Sequence, residues 1–171
     1  FATNSLLVSK FSPDGTTLLW STYLGSSEGG INLGVNSVAV TPSGEAAFGM
    51  FAALPELPLV NETQGFPTDG DADYVAKLNS AGNGLVFGTY LQVGGFTTFL
   101  RGLDVSATGE VAAVGWVDNS GNLPVTNPLP GQACPDETAF QRDVYTVRFQ
   151  SNGMLDFLSC IGGDGSGDQG R

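Results

Sequence analysis

Asp73-Tyr74-Val75-Ala76-Lys77-Leu78-Asn79-Ser80-Ala81-Gly82-Asn83-Gly84-Leu85-Val86-Phe87-Gly88-Thr89-Tyr90-Leu91 reads as a β-hairpin. Tyr74, Val75 and Leu78 run into a polar, glycine-containing turn at Asn79 to Gly84, and a second apolar run follows from Leu85 to Leu91. The same text stands upstream from Leu7 to Leu24, where Ser12-Pro13-Asp14-Gly15 is the turn. It returns in degraded form from Tyr145 to Ile161. Lys10, Lys77 and Arg148 fall at one position of this repeat, and Trp20, Phe87 and Phe157 at another. The period is about 70 residues, long enough for a supersecondary unit of several strands.

Working outward, the strands before and after each hairpin complete a larger unit. Leu6 to Phe51 form unit one, with strands at Leu6 to Phe11, Thr17 to Tyr23, Val35 to Val40 and Glu45 to Phe51. These four strands are expected to form one antiparallel sheet. Residues 52–72 are a long connection carrying Pro55, Pro58 and Pro67, which a central strand would not tolerate. Unit two spans residues 73–117, and Ser43-Gly44-Glu45-Ala46-Ala47 matches its Thr108-Gly109-Glu110-Val111-Ala112. Residues 118–142 are a second proline-rich connection, and residues 143–171 begin a third unit. The whole is one repeat domain over residues 1–171 with about two and a half repeats.

Composition agrees with many short strands and tight turns. The chain has 171 residues, 25 of them glycine and 9 proline, with 41% hydrophobic and 10% aromatic residues. Its net charge of −11 disfavours nucleic acid and anionic membrane surfaces as partners. No apolar run approaches the roughly 18 residues of a membrane helix, so membrane insertion is not expected. Histidine is absent, which removes the commonest general base and metal ligand. The chain starts at Phe1 and stops inside a repeat, so it reads as an excerpt or processed piece of something longer.

The predicted fold class is therefore all-β, with β-propeller-like antiparallel four-stranded blades belonging to a larger propeller. Asp73-Tyr74-Val75-Ala76-Lys77-Leu78, Thr89-Tyr90-Leu91 and the run from Leu158 to Asp168 resemble the bacterial SBBP-type β-propeller repeat. The resemblance covers nearly all of the chain outside the two connections. Gln92 and Val93 depart from it where the family has paired glycines, and Cys160 stands in place of a tyrosine. Members of that family are large secreted or cell-surface proteins without shared catalytic residues. The resemblance thus implies an extracellular or cell-surface location and a scaffold rather than an enzyme. Closing a propeller takes at least four blades. Further blades, from the same chain or another protein chain, are accordingly expected as partners that complete the sheets by edge pairing.

Few residues invite chemistry. Lys10, Lys77 and Arg148 either line a binding face or, in the reading adopted here, pair with loop carboxylates while their stems cover the sheet. Asp69, Asp71 and Asp73, and Asp164 and Asp168, place oxygen ligands at alternating positions in glycine-containing loops. Such loops are candidates for calcium, or else acidic turns in which Asp bonds locally. No other cofactor is implied. Cys134 and Cys160, the only cysteines, suggest a disulfide in a chain of extracellular character, with two buried thiols as the alternative. Asn61-Glu62-Thr63 fits the glycosylation pattern, and Trp20 and Trp116 are expected in packing rather than as sugar platforms. The function expected first is a non-enzymatic structural assembly protein acting through protein–protein contacts. A ligand-binding propeller for glycan or protein comes next, and then part of a secreted hydrolase with catalytic residues elsewhere.

Overall fold

The computed structural model describes residues 5–25, 33–52, 57–65, 72–91, 98–118, 126–129 and 142–161. All regular structure among them is β. The strands are β1 (Ser5–Phe11), β2 (Leu18–Gly25), β3 (Leu33–Val40), β4 (Ala46–Ala52), β5 (Ala72–Leu78), β6 (Leu85–Leu91), β7 (Thr98–Val105), β8 (Val111–Asp118), β9 (Arg142–Phe149) and β10 (Leu155–Ile161).

Five hairpins share one corner. At Gly15, Gly44, Gly82, Gly109 and Gly153 the backbone is left-handed, with φ between 69° and 93°. Each of these glycine amides donates to the carbonyl three residues back at 2.8–3.0 Å. A type I turn followed by a left-handed residue gives the strands their twist, and only glycine enters that region without a Cβ penalty. The turns read from sequence are thus the turns observed.

The sheets are cut in a different phase from the sequence repeat. β1 and β2 form a two-stranded sheet, β3-β4-β5-β6 a four-stranded one, and β7-β8-β9-β10 another, all antiparallel and none closed on itself. The expectation that the four strands of unit one make a single sheet is therefore corrected. β2 does not pair with β3; instead β4 pairs with β5 across the first long connection, from Ala46↔Leu78 to Ala52↔Ala72 without a register shift. β8 pairs with β9 across the second in the same way. The physical reason is burial. β5 is buried at every residue and β4 at all but one, so both are central strands needing neighbours on two edges.

The three sheets stack in layers, with the β3–β6 sheet in the middle. Strand alternation divides its side chains between two cores. Tyr74, Ala76, Leu78 and Tyr90 pack with Phe48 and Met50 against Leu24, Leu6, Val8 and Trp20 of the β1–β2 hairpin. On the opposite face Val75, Phe87 and Leu91 pack against Leu100, Tyr145, Val147, Phe149 and Leu158 of the β7–β10 sheet.

Candidate protein–protein interface

The repeated cation and aromatic ring prove to be cross-strand neighbours. Lys10 lies opposite Trp20, Lys77 opposite Phe87, and Arg148 opposite Phe157. Because side chains alternate along a strand, each pair projects from the same face of its sheet. The pair forms one half of a sheet-to-sheet lock. Lys77 Nζ donates to the carbonyl of Gly109 at 2.8 Å, in the β7–β8 turn of the next sheet, and contacts Glu45 Oε2 at 3.2 Å. Its side chain is only 1% exposed, while that of Glu45 is 26% exposed. Phe87 sits against the β9–β10 turn, where a Cβ on Gly153 would lie 2.3 Å from the Phe87 Cβ.

One layer earlier the same parts recur. Lys10 Nζ reaches the Gly44 carbonyl at 3.5 Å, and a Cβ on Gly44 would lie 2.4 Å from that nitrogen. Trp20 lies on Gly82, where a Cβ would come within 2.3 Å of the indole, and its Nε1 donates to Ser80 O at 3.2 Å. At Gly44, Gly82, Gly109 and Gly153 glycine is therefore needed twice, for its φ and for the close approach of a partner side chain.

The third pair is open. Arg148 turns back to bond Asp156 of its own hairpin through Nε at 2.6 Å and through Nη2, with its side chain 55% exposed. Phe157 is half-buried. A shallow groove of about 440 Å³ on this face is lined by Ala112, Asn127, Thr146, Arg148, Asp156 and Phe157. The matching open surface lies at the other end of the stack, on the outer face of the β1–β2 hairpin. Leu7 and Tyr23, cross-strand neighbours there, are 52% and 75% exposed, and Phe11 and Leu18, paired at the turn end of the hairpin beyond Ser9 and Ser21, are also exposed. A Cβ at Gly15 would meet nothing within 4 Å, unlike one at Gly82 or Gly153.

Asp73 is not at the surface. The strand carries it inside, where Tyr145 Oη donates to its Oδ2 at 2.9 Å while its Oδ1 is buried without a hydrogen-bond partner. Burial raises its pKa to about 6, against the opposing pull of the Leu100 amide, Tyr145, Thr98 and Arg101. Burial likewise pushes the Tyr145 phenol well above its ordinary value, and the nearby Asp73 charge adds to this. Asp69, Asp71, Asp164, Asp168 and Cys134 lie outside the described residues. Among the described residues no three His, Cys, Asp or Glu side chains converge on a metal position. Cys160 is buried and disulfide-bonded. Trp116 is nearly buried, stacked on Phe99 at 3.9 Å between ring centroids with the Arg101 guanidinium over its ring.

Asn61 has a structural role that its triplet does not reveal. It and Asn127 are the two non-glycine residues of positive φ among those described. Asn61 Nδ2 donates to Val86 O at 2.9 Å, and Asn127 Nδ2 to Asp156 O at 2.8 Å. Adjacent bridges Val60↔Gly88 and Thr126↔Leu158 lay the two connections along the outer strands β6 and β10. The signal was present as Leu57-Pro58-Leu59-Val60-Asn61 and Leu123-Pro124-Val125-Thr126-Asn127. These edges are thereby shielded from pairing with other strands.

Neither a family model nor a curated protein sequence matches this chain.

Proposed function

We propose that this chain is a non-enzymatic extracellular or cell-surface scaffold whose sheets act as β-propeller blades of the SBBP-like type and whose outer faces bind protein. One observation carries the reading: the cation–aromatic pair locks onto turn glycines at both internal interfaces, and a third such pair, Arg148 and Phe157, and a further glycine corner, Gly15, stand on the outer faces of the stack. A module built of interchangeable interfaces has contact as its chemistry. In this reading the Cys134–Cys160 disulfide ties the second connection to the third unit, and calcium would brace the acidic loop of Asp69 and Asp71 or that of Asp164 and Asp168.

The test is binding of a hydrophobic dye by the folded chain at low protein concentration. Dye is expected to bind, and the Leu7→Ser/Tyr23→Ser double variant, both positions being exposed, is expected to lose much of that signal while melting normally. No dye binding by the wild-type chain, or an undiminished signal in the variant, refutes an adhesive outer face.

A further inference from the structure

We infer that two copies of this chain associate head to tail, the Arg148/Phe157 face of one copy docking on the Gly15 corner and the Leu7/Tyr23 face of the next. The inference rests on the scaffold reading and gives it a partner and a geometry. Its argument is continuity with the two interfaces inside the molecule. At the first, Trp20 occupies the Gly82 corner, and at the second Phe87 occupies the Gly153 corner. Phe157 is the third ring of that series and Gly15 is the corner with no ring.

The surrounding surfaces correspond as well. On the middle sheet the cross-strand pair Tyr74 and Tyr90 receives the first sheet, and on the last sheet Tyr145 and Cys160, another such pair, help receive the middle one. Leu7 and Tyr23 occupy the same positions on the first hairpin and stand exposed. Apolar groups there are held in water by a sheet whose counterparts are covered, so covering them gains the hydrophobic term already realised twice inside the chain. The contact is heterologous, since ring and corner lie on opposite faces of the stack, so both remain available after one contact forms. A charge of −11 on each copy opposes it, and salt should therefore strengthen the association.

Sedimentation velocity on the whole chain, with the variants Gly15→Asn and Phe157→Ala, tests the arrangement. Asn tolerates left-handed φ and adds the Cβ that would fill the corner. Tyr23→Ser, at an exposed position, serves as a second variant of the corner side and guards against misfolding of the first. The wild type is expected to associate with rising concentration, and each single variant to weaken that association by about tenfold or more, as for a central interface aromatic. An equimolar mixture of Phe157→Ala with either corner variant is expected to restore a heterodimer and nothing larger, because each retains the half the other lacks. A wild type that stays monomeric overturns the inference, as do single variants that associate like the wild type. Folded variants that fail to complement in the mixture also overturn it. These outcomes leave the dye result untouched, so loss of this geometry is distinguishable from loss of the adhesive surface.

Discussion

Replacing Asp73 by Asn should make the protein less sensitive to rising pH. The Asp73 carboxyl is buried between the middle and last sheets, where Tyr145 donates a hydrogen bond to it, and its pKa stands near 6 against an ordinary value of 3.8. An acid whose folded pKa is raised has the opposite linkage to a salt-bridged one. Below pH 3.8 both states hold the proton and the site costs nothing. Between 3.8 and about 6 the unfolded chain releases its proton while the folded chain keeps it, so stability falls with pH. Above 6 the folded state carries a buried anion and the full loss persists. A difference of about two pKa units corresponds to about 3 kcal/mol at 1.36 kcal/mol per unit, most of it developed between pH 4 and 6. The chain's other carboxylates titrate in the same window, so the quantity to measure is the difference between wild type and Asp73→Asn. Urea unfolding followed by tryptophan fluorescence at pH 4, 5, 6 and 7 supplies it. The variant carries a constant offset from the altered Tyr145 hydrogen bond. On top of it, its stability relative to wild type should rise by about 2–3 kcal/mol from pH 4 to 7. A difference that stays flat with pH refutes the buried, raised carboxyl.

Phe87→Ala should cost about 3–5 kcal/mol, the range for emptying a fully buried aromatic site, and Trp20→Ala distinctly less, because Trp20 is only half-buried; equal losses in urea titrations would contradict the graded burial. Gly109→Ala should destabilise by more than about 1 kcal/mol, since φ there is 90° and the new Cβ would lie 2.9 Å from Lys77 Nζ; a thermal melt unchanged from wild type would remove the corner from the lock.

The hairpins were legible because their determinants are local. Ser12-Pro13-Asp14-Gly15 and Thr41-Pro42-Ser43-Gly44 specify their corners within four residues, and the structure turns there. The sheet boundaries were not, because the β4–β5 ladder joins strands across a long proline-rich connection, and nothing near either strand names its partner. Lys77 was visible as a repeated cation, and its ion pair with Glu45 matches the carboxylate pairing expected of it. Its other partner, Gly109, is found only when the glycine series is aligned with the cation series one sheet further on. The alternation of Asp69, Asp71 and Asp73 suggests one acidic loop, yet the strand begins at Ala72 and takes Asp73 to Tyr145 in the interior. Asn61 looked like an acceptor for sugar and serves as an edge fastener.

The offset between repeat and sheet governs how the chain responds to being cut. Each four-stranded sheet joins the last strands of one sequence unit to the first strands of the next, so a proteolytic nick between Ala52 and Ala72 falls inside a sheet in space. The two fragments would remain held by the unbroken β4–β5 hydrogen-bond ladder and by the cores on both faces of that sheet. Cleavage between Leu91 and Thr98 is different, because it falls where one sheet ends and the next begins, and no strand ladder then joins the pieces; side-chain packing, the Lys77 and Phe87 locks and scattered side-chain hydrogen bonds such as Asn36 to Leu100 O and Tyr145 to Asp73 hold them. The proline-rich segments, the most conspicuous breaks in the sequence, are thus the places where a break in the backbone separates the least.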